Sequence, residues 1–183
     1  MIDNLNDLSR AVSHALRHQP WLYELELDDE GWTSVDSILV ALRQEQPAWA
    51  DLTEVDLVRM IETSAKRRHE IVDGRIRALY GHSLAGKLKR TPAPPPAVLH
   101  HGTSPALLPL IQSSGLLPMS RQYVHLSPDP ATAFEVSRRK AKLPALLHIH
   151  ADVAHTQNIR FYQGNETVWL ADHVPPEFIN FDG

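Results

Sequence analysis

Cysteine is absent from this 183-residue chain, which excludes a disulfide, a thiol nucleophile and a thiolate metal site. That absence fits a reducing compartment. No apolar run approaches the ~20 residues that a membrane-spanning helix needs. The opening MIDNLNDLSRAV also lacks the basic-then-apolar layout of a secretory signal. A cytoplasmic protein without membrane association is therefore expected. There is no Gly-x-Gly-x-x-Gly turn and no Walker phosphate loop, which argues against Rossmann and P-loop enzymes. His-Glu-x-x-His is missing too. The chain has 11 histidines, but His100 and His101 are adjacent and would point to opposite faces of a strand. His148 and His150 would share a face with no third ligand at a convincing spacing, so no metal is expected. A net charge of −4 argues against sequence-independent coating of nucleic acid. It leaves room for focused basic sites, of which Lys66-Arg67-Arg68-His69 is one and Arg138-Arg139-Lys140 with Lys142 another.

What is present is the composition of an ordinary folded protein, 43% hydrophobic and 22% charged, with enough length for one medium domain or two small ones. The strongest boundary signal is Lys87-Leu88-Lys89-Arg90-Thr91-Pro92-Ala93-Pro94-Pro95-Pro96. Consecutive prolines cannot continue a helix or occupy a central strand, and they favour a stiff extended spacer. A linker is placed at residues 84–96, between an N-terminal lobe over 1–83 and a C-terminal lobe over 97–183.

In the first lobe, Leu5, Leu8, Val12, Ala15 and Leu16 keep helical spacing, which predicts a helix ending near Arg17. Residues 22–27 alternate like an edge strand. Thr33 reads as the N-cap of a helix carrying Val35, Ile38, Leu39 and Leu42, with Asp36 three residues on. Thr53 with Asp56 repeats that device before Leu57 and Ile61. Asp73-Gly74 between two apolar-alternating runs predicts a hairpin over residues 70–79. Helix, short strand, two helices and a hairpin make a winged-helix-like module.

The second lobe reads as strand-rich α+β with an antiparallel or mixed sheet. Strands are expected at Val98-Leu99-His100, Val124-His125-Leu126, Ala145–Ile149, Val168-Trp169-Leu170 and Phe178-Ile179. One helix is expected behind Ser104 and Pro105, ending near Gly115, and another from Pro130 to about Lys140.

The chemistry-bearing residues are cations and histidines at element ends. Arg17-His18 closes the first helix, Lys66-Arg67-Arg68 precedes the hairpin, and Arg121 with His125 sits where a short strand starts. Each has an ordinary explanation in helix-end or surface electrostatics. Convergence of Arg17, Arg68 and Arg121 would instead give a clamp for a dianionic phosphate, because guanidinium groups hold phosphate oxygens in bidentate fashion. His101-Gly102-Thr103 has a different logic: the glycine lets a flat ligand approach the backbone, and the flanking side chains suit ribose hydroxyls.

Taken in order, these segments resemble the RNA 2′-phosphotransferase family (KptA, the tRNA 2′-phosphotransferases). The resemblance runs from Leu8-Ser9, Ala11, Ser13 and Ala15-Leu16-Arg17-His18 through Asp29-Glu30-Gly31-Trp32, Lys66 with Arg68, and Ile76-Arg77-Ala78 followed by Gly81-His82-Ser83. It continues with His101-Gly102-Thr103, Gly115-Leu116, Met119 with Arg121, Val124-His125-Leu126-Ser127, Val168-Trp169-Leu170 and Val174-Pro175-Pro176. Each fragment is modest, but together in register they span nearly the whole chain.

The resemblance implies a winged-helix-like lobe joined to an ADP-ribosyltransferase-fold lobe that binds NAD as co-substrate, with no metal. It implies RNA carrying an internal 2′-phosphate as the partner, and an enzyme of this size is expected to work as a monomer. The implied chemistry has two steps. The RNA 2′-phosphate attacks the nicotinamide ribose C1″, releasing nicotinamide and leaving a 2′-phospho-ADP-ribosylated RNA. The ribose O2″ then attacks the phosphate, giving ADP-ribose 1″,2″-cyclic phosphate and a free 2′-hydroxyl. The positions matching the family's catalytic set are Arg17, His18, Arg68 and Arg121. The cofactor side falls to His101, Gly102, Thr103, Gly115, Met119, His125, Leu126 and Ser127.

The chain departs from the family pattern with Tyr123 in place of His, Tyr80 in place of Gln, His69 in place of an aromatic residue and His100 in place of Tyr. Two other readings stay open at this level. One is an ADP-ribosyltransferase that stops after the first step, on terminal phosphates of RNA or DNA. The other is an RNA-binding module without catalysis.

Overall fold

Asn4 starts the first helix by accepting the Asp7 main-chain N–H on its side-chain oxygen, 3.2 Å away. Helix α1 then runs Leu5–Arg17 and buries Leu8, Val12, Ala15 and Leu16 on one face. The protein is seen in a computed structural model describing residues 4–138 and 141–181. It divides into two compact units, Met1–Lys89 and Arg90–Gly183, and mixes helices with small antiparallel sheets, an α+β composition. The division falls among the residues that carry the proline-rich spacer signal, and no helix or strand is formed between Ala78 and Val98.

In the first unit, α1 is followed by a 3₁₀ turn at Pro20–Tyr23, β1 (Thr33–Ser34), α2 (Val35–Glu45), α3 (Glu54–Glu62), β2 (His69–Val72) and β3 (Arg75–Ala78). The strands form a sheet in the order β1-β3-β2. Asp73 and Gly74 take φ of 49° and 72°, the left-handed pair that a two-residue primed turn requires. Thr53 and Asp56 form the reciprocal capping box at the start of α3. The buried faces of α1, α2 and α3 close over Ile76 and Ala78 of the hairpin to make one core, which fixes the C-terminal end of α1 against the sheet.

Two local expectations are corrected here. Residues 22–27 form no strand: Pro20 opens a 3₁₀ turn and Glu24 ends it at φ 52°. Proline at the start of a tight turn and a left-handed residue at its close override the alternating pattern. The cap of α2 is Ser34, whose Oγ accepts from Ser37 N at 2.9 Å. Thr33 is instead held by strand pairing with Ile76.

The second unit contains β4 (Val98–Thr103), α4 (Leu108–Ser114), β5 (Val124–Leu126), α5 (Pro130–Ser137), β6 (Ala145–His150), α6 (Ala151–Thr156), β7 (Phe161–Gln163), β8 (Trp169–Ala171) and β9 (Ile179–Asn180). Two three-stranded antiparallel sheets form, ordered β4-β6-β9 and β5-β8-β7. They are stitched by reciprocal main-chain hydrogen bonds between His100 and Ser127, at 2.8 and 2.9 Å. Leu99, Leu147 and Ile149 from one sheet share a core with Leu126, Phe161 and Ala171 from the other.

Ser104 opens a 3₁₀ turn at Pro105–Leu107 rather than the helix itself, which starts three residues later. Helix α5 ends at Ser137 with Arg138 as its C-cap, short of the expected Lys140, and residues 139–140 lie outside those described. Phe178 ends a 3₁₀ turn, so the last strand begins at Ile179. The short elements α6 and β7 went unread in the sequence.

Candidate functional site

The C-terminus of α1 carries Arg17 and His18, and the hairpin fold brings Arg68 to the same place. Arg17 Nη2 donates to the Arg68 carbonyl at 3.4 Å, and Leu79 N donates to that carbonyl at 2.9 Å. Arg68 Nη1 donates to Ser64 Oγ at 3.1 Å, while the Ser64 hydroxyl donates to the Lys66 carbonyl at 2.8 Å. The Arg17 guanidinium lies 5.1 Å above the centre of the Tyr80 ring, a cation–π contact that restrains a long side chain. Gly81 follows at φ 85°, a left-handed backbone that favours glycine, and lies against the Arg17 side chain: a Cβ there would stand 3.4 Å from Arg17 Nη1, in ordinary contact.

His18 is exposed, and its Nδ1 is hydrogen-bonded to Ser83 Oγ at 2.8 Å. The Ser83 N–H also donates to the Arg17 carbonyl, at 3.0 Å. One residue thus ties down both the end of the helix and the histidine after it.

Beneath the arginines lies His69, buried to 2% exposure, with Nε2 at 3.1 Å from Ser13 Oγ. Burial first, then the charges of Arg17, Arg68 and His82, push its pKa down to about 3. His69 is therefore a neutral imidazole at physiological pH and adds no positive charge to a cluster already holding two guanidiniums. Two half-buried arginines and an exposed histidine on one surface can bind a phosphate dianion and stabilise charge growing on its oxygens.

In the second unit, His101 Nδ1 lies 2.9 Å from the His125 carbonyl, and His125 Nδ1 lies 3.1 Å from the Tyr123 carbonyl. A carbonyl can only accept, so Nδ1 carries the proton in each ring, and in the neutral form Nε2 is an acceptor. His101 and His125 are half-buried on neighbouring strands. Such acceptors can receive hydrogen bonds from the hydroxyl groups of a ligand.

The other residues expected on that side divide by environment. Thr103, Leu126 and Ser127 are buried. The Ser127 hydroxyl donates to the Asp129 carbonyl at 2.9 Å and accepts from Asp129 N at 3.1 Å, which prepares the Asp129 cap of α5. The space at Gly102 is used by α5, since a Cβ there would fall 2.4 Å from Ser137 Cβ and 2.5 Å from the Ala133 carbonyl. Its bareness serves packing of helix on strand, not the approach of a flat ligand on that side. Gly115 ends α4 at φ 72° with the Val174 carbonyl 2.1 Å from where a Cβ would sit.

Met119 is 77% exposed and holds φ 58°. Arg121 is exposed two residues on, its N–H donating to the Pro118 carbonyl at 3.1 Å. Among the described residues no cluster of three or more His, Asp or Glu is placed to hold a metal ion, and no helix is long and apolar enough to cross a membrane.

The model of the RNA 2′-phosphotransferase, Tpt1 / KptA family, matches residues 3–173. The chain belongs to the RNA 2′-phosphotransferase family. Among its relatives is a probable RNA 2′-phosphotransferase of Bacillus thuringiensis subsp. konkukian, 53% identical over 173 residues, covering 94% of this chain and 93% of the relative. A protein of the same description from Acetivibrio thermocellus is 47% identical over 175 residues, covering 96% of each chain. One from Pseudomonas aeruginosa strain UCBPP-PA14 is 42% identical over 178 residues, again covering 96% of each.

Within an RNA 2′-phosphotransferase, the residues around Arg17 and Arg68 gain interest beyond those the sequence singled out. Ser13 stands in the α1 segment that carries the family resemblance, but nothing in the sequence ties it to His69. Ser83 stood in the Gly81-His82-Ser83 segment, which reads locally as a turn. Ser64 gave no signal at all, because its hold on Arg68 is made in an irregular segment between α3 and β2.

Proposed function

We propose that this chain is an NAD-dependent RNA 2′-phosphotransferase that removes an internal RNA 2′-phosphate, with Arg17, His18, Arg68 and Arg121 as its catalytic residues. The observation that carries this reading is the meeting of Arg17, His18 and Arg68 at the end of α1, in a member of a family named for that activity. NAD, when bound, supplies the ribose carbon that accepts the 2′-phosphate and leaves as nicotinamide and ADP-ribose 1″,2″-cyclic phosphate.

The chain's own residues bind and polarise. Arg17 and Arg68 hold the phosphate oxygens, and their charge acts most strongly when negative charge builds up on the phosphate as the RNA 2′-oxygen departs. His18 meets the same phosphate and donates a hydrogen bond or a proton to it. The nucleophile in the first step is already an anion, so no strong carboxylate base is required. His101 and His125 orient the ribose hydroxyls through Nε2. The three helices and hairpin of the first unit support a winged-helix-like reading, and the paired sheets of the second support an ADP-ribosyltransferase-like one.

The test mixes purified protein with a short RNA bearing one internal 2′-phosphate and with NAD, and follows nicotinamide release. Release dependent on the 2′-phosphate is expected. A stable ADP-ribosyl cap on end-phosphorylated strands, with internal 2′-phosphates untouched, would replace this reading with terminal-phosphate transfer.

A further inference from the structure

We infer that Ser83 is a positioning residue for His18, holding the imidazole by Nδ1 so that Nε2 is the nitrogen presented to the phosphate. The inference rests on the phosphotransferase reading given above and extends it to a residue outside the catalytic set. Three observations carry it. Ser83 Oγ stands 2.8 Å from His18 Nδ1, a short contact between two exposed residues. The Ser83 N–H donates to the carbonyl of Arg17 at 3.0 Å, so the hydroxyl is delivered from a backbone already fastened to the end of α1. The ring of His14, one turn back on α1, lies 6.3 Å from the His18 ring and is held by Tyr23 OH at 3.1 Å from its Nδ1.

An exposed histidine at a helix end has two free side-chain torsions, and water competes for both ring nitrogens. A serine hydroxyl is suited to the task because it donates to a neutral Nδ1 or accepts from a protonated one. The bond therefore survives when His18 gains or loses a proton, whereas a carboxylate in that place would favour the protonated form alone. Fixing the ring beforehand removes a rotational search from each catalytic cycle. Arg17 and His18 are consecutive, so the one serine fastens the main chain at Arg17 and the ring that follows it.

Ser83→Ala removes the hydroxyl and keeps the main-chain bond to Arg17, so the helix end is left intact. The expected result is a loss of about tenfold in kcat with little change in KM for RNA, the size of one hydrogen bond. Ser83→Thr should recover most of the rate. In a His18→Ala background, Ser83→Ala should cost less than about twofold, since no imidazole remains to be held. The ring nitrogen signals of His18 in NMR spectra of the free protein should move in Ser83→Ala and stay in Ser83→Thr. Unchanged His18 signals in Ser83→Ala, or equal losses with and without His18, would overturn the inference. The spectra need no substrate, so a wild-type protein that shows the His18 response yet fails to process 2′-phosphorylated RNA would sink the phosphotransferase reading and leave the orienting contact standing.

Discussion

Arg17 Nη2 donates to the main-chain carbonyl of Arg68 across 51 positions of sequence, at 3.4 Å. This bond makes the position of one guanidinium depend on the backbone of the residue that carries the other. Arg17 donates to a main-chain carbonyl and Arg68 to the Ser64 hydroxyl, so each cation has a neutral acceptor.

From this pairing, Arg17→Ala and Arg68→Ala should each lower the second chemical step by roughly a hundredfold, since preorganised donors matter most where charge concentrates on the phosphate. The ADP-ribosylated RNA should accumulate at early times on a denaturing gel. Arg→Lys at either position should rescue in part, because an ammonium makes no bidentate contact. Near wild-type conversion by both alanine variants would return these arginines to a surface role.

His69 gives a pH dependence of stability. Its pKa is about 3 in the folded protein against 6.5 ordinarily, so below pH ~6.5 the unfolded chain binds a proton that the folded one excludes. This contribution is fully present above pH ~7 and is lost as the pH falls toward 3, with a slope of at most about 1.4 kcal/mol per pH unit. The melting temperature should therefore drop between about pH 7 and pH 4.5, and His69→Phe should flatten part of that slope. An identical slope in the variant would show that His69 takes up its proton without penalty.

Gly115→Ala and Gly102→Ala should each destabilise the second unit by about 2 kcal/mol or more. A Cβ would meet the Val174 carbonyl at 2.1 Å in the first case and Ser137 Cβ at 2.4 Å in the second. Gly86→Ala, with nothing within 4 Å, should stay within about 0.5 kcal/mol of wild type. Chemical denaturation of the three variants compares them directly. A Gly115→Ala or Gly102→Ala protein as stable as Gly86→Ala would contradict the packing account.

The elements legible in the sequence are those with local causes. The apolar spacing of α1, the Thr53–Asp56 capping box and the Asp73-Gly74 turn are each set by a few neighbouring residues. The alternation at residues 22–27 misled because periodicity carries no information about Pro20 opening a 3₁₀ turn just upstream. Arg17, His18 and Arg68 could be singled out by chemistry. The contact that supports His18 could not be read, because Ser83 lies 65 residues away, and the bond of Ser13 to the buried His69 likewise joins residues 56 apart. Gly102 was legible as a glycine with a purpose, but only the packing of α5 tells which purpose.

The most direct measurement incubates the purified protein with a short RNA carrying one internal 2′-phosphate, with and without NAD, and resolves the products by mass. The account predicts an RNA with a free 2′-hydroxyl together with ADP-ribose 1″,2″-cyclic phosphate and nicotinamide, only when NAD is present. Removal of the 2′-phosphate without NAD, or its persistence with NAD at saturating concentration, would contradict it.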